Sequence, residues 1–187
     1  MNTYDFDQTI FFPDSSYCFV MLCLRHHPRA VLHSLPATGY IGVKKLLQHA
    51  DTKELKESIF SFLPRLESVD QTVENFWKEY RGNLASWYLA QKRPDDVIVS
   101  ASPEFLLRPV CEELGVKLIA TRMDPYTGKI HGLNCHDREK VRRFRLEYGD
   151  LRPESFYSDS LADAPMAEVA EHAFLVRKGV PEPWPDR

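Results

Sequence analysis

The sequence predicts an α/β protein: a parallel sheet of about five strands, with an all-helical segment inserted after the first. Three observations carry this. Short apolar runs alternate with helical patterns over residues 93–187, as expected for strands joined by crossover helices. The run "DVIVSAS" (Asp96 to Ser102) is β-branched and continuous, the pattern of a strand buried on both faces. From about residue 14 to residue 92 only helical patterns occur, far more chain than a βα connection needs.

In chain order, the first strand is "TYDF" at the amino terminus. The insertion follows, with helices read in "SSYCFVMLCLRHH", "YIGVKKLLQH" and "TKELKESIFSFL", and a pair in "VENFWKEYRGNLASWYLAQ". The aromatics Phe76, Trp77, Tyr80, Trp87 and Tyr88 read as the core of this insertion. Strand two is "DVIVSAS". The helix "PEFLLRPVCEELG" begins with Ser102 as N-cap and Pro103 in its first turn, and stops at Gly115. Strand three, "VKLIATRM", runs into the turn "DPYTGKIHG". The helix "REKVRRFRLEYG" follows Asp137 as N-cap and ends at Gly149. Strand four is "SFYSDS"; the helix "PMAEVAEH" follows Asp163, and strand five is "HAFLVR". The tail "VPEPWPDR" reads as irregular.

Composition narrows the function. With 187 residues, 43% hydrophobic and 12% aromatic, the chain suits one well-cored domain with an insertion. Its 24 basic and 27 acidic residues give a net charge of −3, with no basic stripe, which argues against a nucleic-acid partner. No apolar run approaches the roughly 20 residues that span a bilayer, and the polar first residues do not read as a secretory signal, so the expected place is the cytoplasm. Cys18, Cys23, Cys111 and Cys135 form no Cys-x-x-Cys pair and read as reduced, buried thiols. "HGLNCH" gathers His131, Cys135 and His136, but no second ligand pair of zinc spacing accompanies it, so it reads as a loop. Arg25, His26, His27 and Arg29 gather at the end of the first insertion helix, where cations complement the helix dipole.

The carboxyl ends of the strands are acidic. Strand one ends in Asp5 and Asp7, strand two in Ser100 and Ser102, and strand four in Asp159, with Asp163 four residues on. Lys140 falls in the first turn of the helix before strand four. In an open parallel sheet these ends converge on the ligand-binding edge, and an insertion leaving from that edge covers it as a lid. Carboxylates gathered in one cleft repel unless a cation joins them. Oxygen-only ligands suit Mg²⁺, and a lysine with a hydroxyl beside such an ion describes a phosphoryl site.

Those residues resemble the motifs of the haloacid dehalogenase-like superfamily of phosphotransferases. "DFDQT" is similar to its Asp-x-Asp-x-Thr, "VIVSAS" to its strand-end Ser or Thr, "HDREKVRRF" to its lysine motif, and "YSDSLADAPM" to its acidic pair. The phrases "GLNCHDREKVRRF" and "YSDSLADAPM" look most like the phosphoserine-phosphatase-like branch. The resemblance implies a Rossmann-like core (residues 1–13 and 93–187) of strand order 5-4-1-2-3, and a helical cap over 14–92. It further implies a Mg²⁺-dependent phosphatase acting on a small phosphomonoester through an aspartyl-phosphate. Asp5 would be the nucleophile and Asp7 the general acid and base. Thr9, Ser100, Ala101 and Lys140 would hold phosphate or its loop, and Asp5, Asp7, Asp159 and Asp163 would surround the metal. Gln8 stands where the family often has glycine, and Ala162 where a motif-four Asn is common. Asp14 falls where phosphoserine phosphatases carry a longer Glu that recognises the substrate amine, so the implied esters are phosphoserine-, phosphoethanolamine- or phosphocholine-like. Two other readings stand beside this one: a phosphotransferase with an acceptor other than water, and a catalytically idle binding module. The apolar insertion helices could also pair two subunits as a homodimer.

Overall fold

A computed structural model describes residues 1–34, 39 and 51–185. Its centre is the run read as doubly buried. Strand β2 (Val97–Pro103) turns Val97 and Val99 to one face of the sheet and Ile98 to the other, as the two-residue period of a strand requires. β2 pairs in parallel with β1 (Thr3–Tyr4) and with β3 (Lys117–Thr121). On the other side β1 pairs in parallel with β4 (Ser155–Ser158), which pairs in parallel with β5 (His172–Arg177). These five strands follow the expected order.

A sixth strand extends the sheet. β6 (Val180–Pro183) runs antiparallel to β5 and gives the order β3-β2-β1-β4-β5-β6, so the tail read as irregular is strand at its start. Two prolines disguised it. Pro183 lies opposite Phe174 and Pro181 opposite Val176, while Trp184 N–H donates to Ala173 O. Positions alternate in an antiparallel ladder, so both prolines sit where their missing N–H faces away from β5.

Helices cover both faces. On one, α6 (Arg138–Tyr148) and α7 (Ala164–Val169) bury Phe144 and Met166 against Val97, Val99, Ile119 and Phe156. On the other, α5 (Glu104–Leu114) joins the helices that follow β1: α1 (Ser15–His26), α2 (Thr52–Ile59), α3 (Val69–Tyr80) and α4 (Ser86–Gln91). The expected helix in "YIGVKKLLQH" lies outside the described residues. Capping carboxylates and hydroxyls start three of these helices: Asp14 accepts from Tyr17 N (2.7 Å), Asp51 from Glu54 N (2.7 Å) and Ser68 from Gln71 N (3.2 Å). Val69, Val73, Phe76 and Trp77 form one buried stripe of α3, and Trp77 Nε1 donates to Leu106 O (2.7 Å). Phe76, Trp77 and Tyr88 are buried as expected, with Tyr80 and Trp87 packed against them. Phe19, Phe60 and Phe76 share one hydrophobic cluster with Tyr4 and Ile98 of the sheet.

Helix starts differ from the sequence reading in three places. Ser102 is not the cap of α5: Pro103 pairs with Thr121 and carries β2 one residue past it. Asp137 and Asp163 occupy the cap positions of α6 and α7, but neither side chain makes the capping bond. Gly115 and Gly149 do end their helices, with φ of 70° and 63°, where a side chain is strained.

One core element reaches under the insertion. The "DPYTGKIHG" turn is a hairpin closed by an antiparallel bridge between Met123 and Ile130. Glu57 of α2 accepts from Ile130 N and Lys129 Nζ, both at 2.9 Å, and Lys53 Nζ donates to Gly132 O at 2.9 Å. Gly128 has φ +70°, and a Cβ there would stand 2.6 Å from Phe60 O, so this position requires glycine.

Candidate active site

The register of the three central parallel strands, β2, β1 and β4, sets the site. Because β1 is flanked by β2 and β4, the chain leaving β1 at Asp5 emerges between the ends of both neighbours. Asp5 N–H donates to Tyr157 O (2.8 Å), so the backbone is still tied to β4 as the side chain turns into the cleft. Gln8 takes up the following turn at φ 58°, the left-handed region where glycine is relaxed. Thr9 is fully buried, and its Oγ1 accepts from Asp159 N (2.9 Å), which fastens this turn to the end of β4.

Lys140 is the hub. It is 2% exposed, and its Nζ donates to Asp5 Oδ1 and to Asp163 Oδ2, both at 2.7 Å. Asp163 Oδ2 also accepts from Ser158 Oγ (2.7 Å), which explains why this carboxylate does not cap α7. α6 is itself stapled to the sheet: Arg143 donates to Ala120 O, Leu133 O and Glu139 at 2.6, 2.7 and 2.8 Å. Burial alone would lower the Lys140 pKa, but Asp5 and Asp163 outweigh it and hold the ammonium charged.

Asp7, two residues beyond Asp5, is held from both sides. Its Oδ1 accepts from Ser15 N (2.6 Å) at the start of α1, and its Oδ2 accepts from Ser102 Oγ at the end of β2. Ser100 Oγ accepts from Ser102 N (3.1 Å), and Ala101 O accepts from Thr121 Oγ1 and Lys56 Nζ, both at 2.6 Å. Lys56 comes from α2 and also reaches Asn134 Oδ1 (3.0 Å).

A cavity of about 520 Å³ joins these groups; Asp5, Asp7, Ser100, Lys140, Asp159 and Asp163 line it. The structure thus gathers Asp5, Asp7, Ser100, Ala101, Lys140, Asp159 and Asp163 around one space, with Thr9 buried behind it. Asp14 also lines the cavity, but its Oδ1 caps α1. Arg25 lies elsewhere, paired with Glu79 of α3.

Lys56, Asn134 and Ser158 are not among the residues the sequence points to; Ser102 is, at the ligand edge of β2 as expected, and only its second reading as a helix cap is wrong. For Ser102 a local signal existed: it lies two residues from Ser100 on one strand, so both side chains point the same way. Lys56 had none, since it stands between Leu55 and Glu57 in an ordinary amphipathic helix.

The donor set fits a hard divalent cation. Burial raises the carboxyl pKa values of Asp5, Asp7 and Asp159, with Asp163 adding to Asp5 and Asp159, and Asp14 adding to Asp7. Lys140 opposes the shift at Asp5 and Asp159. That excess of negative charge is what a Mg²⁺ ion relieves, and every donor is an oxygen. Among the described residues no group of three His, Cys, Asp or Glu side chains is set to hold a metal unaided, so backbone, water and ligand oxygens would complete the shell. The His131, Cys135, His136 stretch is no exception: Cys135 is buried and both histidines are exposed.

Comparison with known proteins places this geometry. A family model described as haloacid dehalogenase-like hydrolase matches residues 3–168. Protein CicA of Caulobacter vibrioides (strain NA1000 / CB15N) is 29% identical over 205 residues, covering 95% of this chain and 86% of the relative. A solved structure of a Bordetella pertussis Tohama I protein of unknown function superposes with a TM-score of 0.74 at 23% identity, over 94% of this chain and 88% of that one. A phosphoserine phosphohydrolase-like protein from Francisella tularensis subsp. tularensis SCHU S4 gives 0.59 at 15% identity, over 96% and 89%. These likenesses of structure are likenesses of fold.

Proposed function

The chain belongs to the haloacid dehalogenase-like hydrolase family, and from that premise we propose that it hydrolyses a small phosphomonoester through an aspartyl-phosphate on Asp5. The observation that carries the reading is Lys140, buried between Asp5 and Asp163 in the cavity that Asp7, Ser100 and Asp159 share.

In the first step an Asp5 carboxylate oxygen attacks phosphorus. The Asp5–phosphorus bond forms as the bond to the ester oxygen breaks, and Asp7 delivers a proton to the departing oxygen. In the second step water attacks the same phosphorus, Asp7 takes the proton that the water loses, and the Asp5 carboxylate is released with inorganic phosphate. Lys140 keeps the attacking carboxylate in place and offsets phosphoryl charge, with Asp163 and Ser158 fixing Lys140 in turn. Ser100 and Ala101 border the phosphoryl position, and Thr9 holds the turn that presents Asp7. Asp5, the backbone carbonyl of Asp7 and Asp159 would hold Mg²⁺, with Asp163 close by; when bound, the ion would neutralise phosphoryl oxygens as charge shifts. The opposite wall, Tyr17, Val20, Ile59 and Phe60, encloses the leaving group, and Asp14 offers a carboxylate to an amine on it.

The test is hydrolysis of p-nitrophenyl phosphate, then of a panel of small phosphate esters, with Mg²⁺, with EDTA, and by Asp5→Asn. Turnover by the wild type that is lost with EDTA and in Asp5→Asn is expected. Turnover by Asp5→Asn at the wild-type rate overturns the reading. Phosphate recovered on an added alcohol instead of in solution makes the protein a phosphotransferase.

A further inference from the structure

We propose that Ser102 is a positioning residue for Asp7, a clamp that sets the direction in which Asp7 presents its proton to the leaving group. The inference rests on the phosphatase reading, and goes beyond it by giving a task to the second serine of "VIVSAS", to which the resemblance assigns none.

The geometry is specific. Asp7 has two carboxylate oxygens, and different parts of the molecule hold them: the backbone N–H of Ser15 on Oδ1 (2.6 Å) and the hydroxyl of Ser102 on Oδ2. Ser15 N fixes one oxygen and leaves the carboxylate free to turn about that contact; Ser102 removes the remaining freedom. Ser102 is itself well fixed. It is 3% exposed, its N–H donates to Ser100 Oγ (3.1 Å), and the residue before it is held by Lys56 and Thr121 through Ala101 O. Pro103 follows, which restricts the Ser102 backbone to the extended conformation seen in β2.

The surrounding hydroxyls show which way the clamp points. Ser102 Oγ lies 3.3 Å from Ser15 Oγ and 3.0 Å from Ser16 Oγ. A hydroxyl has one proton to give. Since Ser102 gives its proton to Asp7, both neighbours must donate to Ser102, and the three serines form a fan that drives one proton toward the carboxylate. Ser16 lines the cavity as well, so the fan runs from the ligand space to Asp7.

Leaving-group dependence reads this role directly. An acid aimed at the departing oxygen matters most when the departing group is a poor one. Phenyl phosphate and p-nitrophenyl phosphate have similar bulk at the reacting end but differ in how much their oxygen needs a proton. For Ser102→Ala we expect kcat/KM for phenyl phosphate to fall by roughly 10- to 100-fold, the loss typical of a displaced supporting group. For p-nitrophenyl phosphate the fall should stay within about threefold, and Ser102→Thr, which keeps the hydroxyl, should restore both. Equal losses on the two esters, or no loss on either, would make Ser102 a purely structural residue and overturn the proposal. Should Ser102→Ala fail to fold by circular dichroism, Ser102→Cys, a weaker donor of similar size, is held to the same criterion. An inert wild type would instead remove the phosphatase reading, so the two failures are told apart.

Discussion

The two walls of the cavity are built on different plans. The wall made by the strand ends is polar, and its groups hold one another: Lys140 bonds Asp5 and Asp163, Ser158 bonds Asp163, and Thr9 bonds Asp159. The wall made by α1 and α2 is mostly apolar, with Tyr17, Val20, Ile59 and Phe60, and its one lysine bonds back to the strand-end carbonyl of Ala101. The contrast teaches where each task belongs. Groups that handle charge need neighbours fixed by a sheet, because a misplaced buried charge costs several kcal/mol. Groups that enclose a leaving group need shape, which helices packed over a shared core supply.

Breaking the strand-end wall should have the largest effect. Lys140→Met leaves Asp5 and Asp163 facing each other without a cation. A loss of about 3–5 kcal/mol in urea unfolding is expected, together with loss of turnover. A variant of wild-type stability would mean that the two carboxylates share a proton and that Lys140 does not hold them. The insertion wall should break differently. Gly128→Ala puts a methyl group against Phe60 O at a positive φ, and roughly 1–3 kcal/mol should be lost. Because only the seat of α2 moves, KM should rise more than kcat falls; a kcat collapse with KM unchanged would erase the distinction between the walls.

The smallest effect sharpens the picture of the strand-end side alone. Arg142 bonds Glu139 and, against a smaller penalty from burial, holds its carboxyl down at about 2 from the ordinary 4.5, with Arg143 adding. A carboxyl whose folded pKa is depressed stabilises the fold above its unfolded pKa, and that contribution drains as pH falls toward the folded value. Thermal unfolding should therefore lose stability from about pH 4.5 down to about pH 2. In Glu139→Gln that part of the slope should vanish, and the variant should be less stable at neutral pH. An unchanged slope would mean that the Glu139 staple on α6 contributes nothing.

Legibility followed the same division. Asp5, Ser100 and Asp159 could be read because each lies at the carboxyl end of a strand, and parallel strands bring their ends together whatever the loops do. The pairing of Asp163 with Lys140 could not be read, because a carboxylate before a helix serves equally well as a cap, and only the tertiary position of α6 decides between the two. Lys56 is 45 residues from Ala101 along the chain and carries no local mark. Ser102 carried two readings, strand end and helix cap: proline after serine reads as a helix start, and the pairing of Pro103 with Thr121 shows that the strand continues, so the strand-end reading stands. β6 was missed for a related reason, since proline weakens a strand signal even where the ladder does not need its N–H.

That last strand has a bearing on how copies of this protein can meet. An outer strand normally offers a row of amide donors, an invitation to add a neighbour's strand and, repeated, to build a fibre. Along β6 the outward positions 181 and 183 are both proline, so that row of donors is erased while every inward bond to β5 survives. The sheet has a finished border, and self-association by strand addition is closed off along it.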